Sequence, residues 1–374
     1  MSAAMAMLFW LATAVVGYAY LGYPLLVRWL ASRRATTPIM STDAQAPRVT
    51  VLIAAHNEAR RIASRLLDIL AQEHPADRLS VIVVSDGSSD GTAWAADIGD
   101  PRVRVVELQP NGGKAVALNL AASMAEGEIL VFADSRQRFV PGTLRALLMP
   151  FADPQVGAVS GELVIEGAGD EGLYWRMEKA LRFDEARLGW LHGVSGAVHA
   201  MRRELFKPMP PGTVLDDMWL PLNVVLSGRR VWMARDAVAL DVASATPGEE
   251  FHRKLRTLAG NWQLLARLPV LADPLRNPVF LAWFSHKFLR LVVPWALLAA
   301  LIASALADGA FYRIALAAQL AGYAVAALAW AMPRPAARIP LLPAAGTFLM
   351  LNSAALLSLP ASLTRDASRL WRKH

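Results

Sequence analysis

The chain has 374 residues, of which 55% are hydrophobic and only 18% charged. Soluble proteins carry about 25% charged residues, so this chain is short of them, and its apolar residues crowd the first thirty and last ninety positions, a pattern that suggests a water-soluble domain between membrane segments. Lys and Arg outnumber Asp and Glu by 38 to 31, giving a net charge of +7, and the absence of cysteine excludes disulfide frameworks and thiolate metal sites.

The basic residues form no polybasic block with interleaved aromatics, which argues against a nucleic-acid partner. Many instead sit beside apolar segments: Arg28, Arg33 and Arg34 near the start, and Arg365, Arg369, Arg372 and Lys373 in the tail 364–374. That placement suits anionic lipid headgroups. Residues 1–30 are expected to form a first transmembrane helix. They carry no charge before Arg28, and a span takes roughly 20 apolar residues. A signal peptide would need a basic start, which Met1-Ser2-Ala3-Ala4 lacks, so an uncleaved anchor is expected. The positive-inside rule then places the N-terminus outside and the following domain in the cytoplasm.

From Arg48 the pattern alternates. Val49 to Ala55 is a β-branched run of strand type, and an amphipathic helix is expected near 59–73. Leu79 to Val84 predicts a second strand, followed by a helix near 92–98. A third strand, Val103 to Leu108, leads through a loop to a helix over 115–125. A fourth strand, 128–133, ends at Asp134. Alternation of this kind predicts an α/β domain, over 48–245, with a mostly parallel sheet. Ligands bind such sheets beyond the carboxyl ends of the strands, where Asn57, Glu58, Asp86 and Asp134 all fall.

Residues 246–290 read as amphipathic interfacial helices, with Leu255, Leu258, Trp262 and Leu265 on the apolar face. The region 291–363 reads as membrane-embedded. Two spans are expected, at 291–307 and 314–332, joined by a short loop from Asp308 to Arg313. The segment 339–363 is apolar but interrupted by Pro340, Pro343 and Pro360, so a crossing and a re-entrant course both remain open.

Six motifs in order resemble family 2 glycosyltransferases of the GT-A fold, especially the membrane-bound branch of cellulose, hyaluronan and poly-N-acetylglucosamine synthases. They are Val51-Leu52-Ile53-Ala54-Ala55-His56-Asn57-Glu58, Val84-Ser85-Asp86-Gly87-Ser88-Ser89-Asp90-Gly91-Thr92, Asn111-Gly112-Gly113-Lys114, Ile129-Leu130-Val131-Phe132-Ala133-Asp134, Gly193-Val194-Ser195-Gly196-Ala197 and Leu215-Asp216-Asp217. The resemblance covers roughly residues 48 to 265 and implies a Rossmann-like GT-A domain with flanking transmembrane helices, in a bacterial inner membrane.

The resemblance implies a nucleotide-sugar donor, a UDP-sugar by preference, and a glycan or lipid-linked acceptor. Asn57, Glu58 and Asp86 would grip base and ribose, since carboxylates accept hydrogen bonds from ribose hydroxyls and an imide. Asp86 would otherwise be an Asx turn, and Lys114 is either a donor-phosphate contact or a solvated loop lysine. Asp134 would hold Mg²⁺ or Mn²⁺. The family's Asp-x-Asp reads Asp134-Ser135-Arg136 here, so Arg136 would meet the phosphate directly. Asp217 is the expected general base and Asp216 its orienting neighbour, both also suited to a helix N-terminus. Gly193, Ser195 and Gly196 would border the acceptor. In the family's Gln-x-x-Arg-Trp element, Arg256 takes the arginine position and Thr257 replaces the tryptophan, leaving Trp262 as an aromatic surface for the acceptor. Tyr174, Trp175, Trp190 and Trp219 are sugar-stacking or core residues, and His192 and His199 are read as structural. Polysaccharide synthesis, addition of one sugar to a polyprenyl-phosphate, diacylglycerol or ceramide acceptor, and an inactive scaffold are the competing functions.

Overall fold

The computed structural model describes residues 2–41, 46–166, 172–242 and 246–364; the expected basic tail, 364–374, lies outside the described residues beyond Thr364. Strands β1 (Val49–Ala55), β2 (Leu79–Asp86), β3 (Val103–Leu108), β4 (Ile129–Ala133), β5 (Arg138–Phe139), β6 (Val156–Glu166), β7 (Val198–Arg202) and β8 (Arg230–Val242) form one eight-stranded sheet, ordered β3-β2-β1-β4-β7-β6-β8-β5. The half built from β1 to β4 is parallel, as the alternation predicts. Beyond β4 the sheet is mixed: β7 runs antiparallel to both β4 and β6, β8 is parallel to β6, and β5 is antiparallel to β8. Four of the seven pairings are parallel, as expected, and the three antiparallel ones all lie beyond β4.

The parallel half forms because its strands are nearly continuous apolar runs buried on both faces, as for Val51, Leu52, Ile53, Val83 and Leu130. Helices α3 (Ile62–Leu70), α4 (Thr92–Ala96) and α5 (Lys114–Ser123) follow those strands, and α5 packs on β1 and β2. Helix α3 is shorter than the expected 59–73, because residues 58–61 turn before it. Helix α6 (Thr143–Leu148) packs on β8, as do α7 (Leu173–Arg187) and α8 (Asp216–Leu226).

Among the described residues, four helices are long and apolar enough to cross a membrane: Ala3–Arg34, Phe280–Leu306, Ala310–Ala331 and Leu342–Leu363. The first comprises α1 (Ser2–Gly17) and α2 (Tyr23–Arg34), joined by a π-helical turn at Tyr18–Gly22. Helix α9 (Pro247–Arg267) is the amphipathic one and is capped by Thr246, whose side chain accepts from the Glu249 N–H at 3.2 Å. Residues 280–290 belong to the second long helix: α10 (Phe280–Trp283) runs through a π turn, Phe284–Phe288, into α11 (Leu289–Leu306). The expected loop to Arg313 is shorter, since α12 (Ala310–Ala331) already starts at Ala310. After the short α13 (Pro333–Ala336), α14 (Leu342–Thr364) is one helix. Pro340 precedes it and Pro343 lies in its first turn, where no intrahelical N–H is needed, leaving only Pro360 inside.

The long helices are tied to the sheet domain by buried polar contacts. The Tyr23 hydroxyl donates to Glu185 of α7 at 2.7 Å. His286 sits between Glu185 and Glu178, with each ring nitrogen 2.8 Å from one carboxylate, and Arg290 donates to Glu178 at 2.8 Å. Within the sheet, Gly161 occupies an irregularity where the β6–β8 register shifts, and a Cβ there would lie 2.4 Å from the Ala237 carbonyl oxygen. Replacing Gly161 by Ala should cost roughly 1–3 kcal/mol by overpacking, read as a lowered unfolding temperature in detergent; an unchanged temperature would show that this strand contact is not needed.

Candidate active site

The site assembles along the edge of the sheet where β1, β2 and β4 end. At the end of β1, Asn57 adopts a left-handed backbone with φ of 54°. Its Oδ1 accepts from the Ser89 N–H at 2.9 Å, and its own N–H donates to the Ser88 hydroxyl at 3.2 Å. Glu58 is buried; its N–H donates to the Thr92 hydroxyl at 2.8 Å and its carboxylate pairs with Arg61 at 3.2 Å. Asp90 braces the same turn, accepting from the Ala59 N–H at 3.0 Å and the Thr92 N–H at 3.1 Å. The loops after β1 and β2 are thus locked together before any ligand arrives.

Asp86, at the end of β2, is 3% exposed, and its carboxylate is already engaged. It accepts from the N–H groups of Gly112 at 2.7 Å and Gly113 at 2.8 Å, and from the Asn111 amide at 3.0 Å. The His56 Nδ1–H donates to the Asp86 carbonyl at 2.6 Å. Gly87 has φ of +61°, and a Cβ there would come within 2.7 Å of Asn111 backbone atoms, so the tight approach of the two loops requires glycine. Asp86 therefore fixes the Gly-Gly loop, and that loop delivers the next residue, Lys114.

Lys114 opens α5, with its Nζ 3.0 Å from Asp134 Oδ1 and 2.9 Å from Asp216 Oδ2. Burial works against its charge, but the two carboxylates outweigh burial and hold its pKa above the usual lysine range. Of the two readings of this residue, the solvated loop lysine is excluded, since its side chain is only 17% exposed. Arg65 supports the arrangement from below by donating to the Asp134 carbonyl at 3.1 Å, with its guanidinium 4.0 Å over the Phe139 ring.

Asp216 and Asp217 form the first turn of α8, the favourable end of the helix dipole. Asp217 is pushed up to about 6 by burial, with the Asp216 charge adding to the rise, while Lys114, Lys287 and Arg182 oppose it. The Asp217 carbonyl accepts from the Val194 N–H at 2.9 Å, and a Cβ on Gly196 would lie 3.9 Å from the Asp217 Oδ2. The segment with Gly193, Ser195 and Gly196 is thereby laid against Asp217. Gly193 lies close to Met218, since a Cβ there would be 2.5 Å from its sulfur. The Ser195 N–H donates to Ser160 at 3.0 Å, and Arg182 donates to both Ser160 and the Gly193 carbonyl. Behind this segment His199 stacks on Phe132 at 4.5 Å and its Nδ1–H donates to the Ser195 carbonyl; burial lowers it to about 4, so it is neutral. His192 is likewise lowered by burial to about 4.

Helix α9 reaches the site from the membrane side. Gln263 accepts from the Val214 N–H at 3.1 Å and donates to the Gly212 carbonyl at 2.9 Å, and Gly260 is packed against Leu215. Arg256 on the same helix lies near the acids: burial and Arg253 lower its pKa, and Asp216, Asp217 and Asp134 oppose that.

Two sequence-derived residues are placed elsewhere. Arg136 pairs with the buried Asp241 of β8 at 3.0 Å, and Gln137 donates to the same carboxylate at 2.9 Å. Trp262 is committed to the long helices: its indole N–H donates to Ser358 of α14 at 3.0 Å, and its ring packs on Phe288. Trp219 is buried, while Trp175 is exposed beneath Lys254. Sequence reasoning missed Arg65, Asp241 and Arg182. Asn111 and His56 stood inside the quoted motifs, and their polar side chains beside glycine and asparagine were the available signal.

No group of three or more His, Asp or Glu side chains suited to a metal occurs among the described residues. Asp134 still fits a hard divalent cation. Its side chain is 34% exposed, Oδ1 is turned to Lys114, and Oδ2 has no partner among the described residues. A cation of the Mg²⁺ type needs one or two carboxylates, with substrate phosphates and water completing the set.

A family model described as "Glycosyl transferase family 2" matches residues 50–209. The chain is 27% identical over 248 residues to an N-acetylglucosaminyltransferase of Sinorhizobium fredii, covering 59% of each. It is 30% identical over 131 residues to one of Bradyrhizobium elkanii, covering 34% of this chain and 72% of that one. The chain spans just over half the length of several of these curated relatives. Among solved structures it resembles a mannosyltransferase of Pyrobaculum calidifontis in complex with GDP-Man and Mn²⁺, at TM-score 0.74 and 27% identity over 96% of this chain and 99% of that one. With the motif order, the sheet and these likenesses in agreement, the chain belongs to glycosyl transferase family 2.

Proposed function

We propose that this protein transfers a sugar, with inversion, from a nucleotide-diphosphate sugar to an acceptor presented at the membrane, in the synthesis of an extracellular polysaccharide. The observation that carries this reading is the meeting of Lys114, Asp134, Asp216 and Asp217 at one sheet edge. The donor's base and ribose would lie against Asn57, Glu58 and Asp86. Its diphosphate would be met by Lys114 and Arg256, with Asp134 holding Mg²⁺ or Mn²⁺, which would offset the diphosphate charge. The acceptor hydroxyl would rest between Asp217 and the Gly193–Gly196 segment. As its oxygen bonds to the anomeric carbon, its proton passes to Asp217, and the bond from that carbon to the diphosphate oxygen breaks on the opposite side. An α-linked donor then gives a β-linked product and a free nucleoside diphosphate. The relatives named as N-acetylglucosaminyltransferases and a succinoglycan biosynthesis protein of Rhizobium meliloti, 38% identical over 103 residues, support sugar transfer in polysaccharide synthesis, for which a UDP-sugar is the first donor to test. The likeness across nearly the whole chain to a protein complexed with GDP-Man supports GDP-mannose as the second reading. Four spanning-length helices support membrane embedding, with the sheet domain on the cytoplasmic side of a bacterial inner membrane.

Release of UDP and GDP should be followed with a panel of nucleotide sugars in reconstituted membranes. One donor class should turn over in a Mg²⁺- or Mn²⁺-dependent manner; release from none of them, with either ion, would leave an inactive scaffold as the better reading.

Asp217→Asn should lower kcat by roughly 10²–10⁴-fold while donor binding persists. Because Asp217 must be ionised to accept a proton and is pushed up to about 6, wild-type kcat/KM should be flat above that pH. Below it, the value should fall about tenfold per pH unit. A flat profile from pH 5 to 8 would rule Asp217 out as the base.

Lys114→Gln should reduce kcat/KM by roughly 10–100-fold through weaker donor binding, the worth of a charge-assisted hydrogen bond. An unaltered donor KM would show that Lys114 acts only between the two carboxylates.

A further inference from the structure

Away from the active site, a cavity of about 530 Å³ opens between α2, α7, β6 and β8. Its volume falls in the range of small-ligand sites, roughly 300–1,000 Å³. No residue of the catalytic edge lines it. Five basic side chains, Arg28, Arg176, Lys179, Arg187 and Arg235, face two carboxylates, Glu162 and Asp184. Glu162 is taken by Lys179 at 2.8 Å and more loosely by Arg235 at 3.9 Å, and Asp184 by Arg187 at 3.3 Å. Arg28 is exposed and has no ion-pair partner among the described residues. Among the described residues that line the cavity, basic side chains therefore outnumber acids by five to two.

Its position names the source of the matching anion. The first long helix, Ala3–Arg34, has 32 residues. At 1.5 Å per residue it is about 48 Å long, whereas the hydrocarbon core is about 30 Å thick. Arg28 thus lies about 38 Å along the helix from Ala3, beyond the hydrocarbon and at the level of the headgroups. Leu21, about 27 Å along the same helix, is 61% exposed toward the acyl chains, while Leu25 and Trp29, 64% and 52% exposed, stand at the interface beside the basic cavity. The opposite face of the helix, with Tyr23, Val27 and Ala31, is buried.

We propose that this cavity binds the headgroup of an anionic phospholipid, which bridges the end of the first membrane helix to α7 and the β6–β8 edge. The phosphate would be met by Arg28, which is exposed, and Arg235, whose side chain is 60% exposed and only loosely held by Glu162 at 3.9 Å, while Lys179 and Arg187 remain with their carboxylates. Such a lipid seats the catalytic domain on the bilayer without taking part in sugar transfer, so the proposal stands apart from the reading of the active site.

The test uses the full chain in nanodiscs of phosphatidylcholine with or without phosphatidylglycerol, reading retained lipid by native mass spectrometry and unfolding temperature in parallel. Phosphatidylglycerol should be retained selectively and raise the unfolding temperature. The double variant Arg28→Gln/Arg235→Gln should lose retention by roughly tenfold or more, two headgroup-level charges being removed, while Lys207→Gln, in an exposed loop, should not. Equal retention of both lipids, or full retention by the double variant, would overturn the proposal. Inorganic phosphate producing the same stabilisation in phosphatidylcholine alone would overturn the lipid assignment in favour of a soluble anion.

Discussion

The contact on which the rest of the site depends is one ammonium group between two carboxylates. Lys114 comes from the start of α5, Asp134 from the end of β4 and Asp216 from the start of α8, so three distant stretches are joined at one nitrogen. Lys114 and Asp216 are largely shielded from water, which strengthens their pairing and makes either costly to leave alone, while Asp134 keeps a third of its side chain open to the cleft. Asp86 sets the arrangement up from one side by holding the glycine loop. Arg65 sets it up from the other by holding the backbone of Asp134. A residue that sequence reading treats as a ligand contact, Asp86, is first of all the anchor of the loop that places the cation.

The same chemistry is connected to the bilayer by a short mechanical path. Gln263 and Gly260 of α9 hold residues 212–215, the segment directly before Asp216 and Asp217. The residue next to Gln263, Trp262, is bonded to α14. Helix α9 is therefore gripped on one side by the turn that precedes the acidic pair and on the other by a membrane-type helix. The hydrophobic pattern that marks α9 as interfacial and the polar contacts that brace the site belong to one element, which is why Arg256 lies close to the acids.

Much of this was legible in the sequence, and the reasons are local. β1 to β4 are short apolar runs separated by helical periodicity, and parallel strands buried on both faces leave that signature. The acids at their ends could be located by topology alone, and Asp216-Asp217 by the turn before them. The second half of the sheet left no such trace. β5 has two residues, β6 contains two glycines, and their pairing depends on partners far along the chain. The pairing of Arg136 with Asp241 spans 105 residues, so the guanidinium in place of an acid read as a phosphate contact. Trp262 was placed at the acceptor because an aromatic on an amphipathic helix carries no mark of which side will claim its indole.

The hydrogen bond from Asn352 of α14 to Tyr20 of the first helix joins residues 332 positions apart, at 3.0 Å. A ribosome adding about 5–20 residues per second makes the second partner roughly 15 to 70 s after the first. During that interval the first helix waits in the bilayer with a polar hydroxyl that its final neighbour has yet to cover. Assembly of the membrane bundle is therefore a late event in the birth of this protein, and the sheet domain has time to fold before its support is complete.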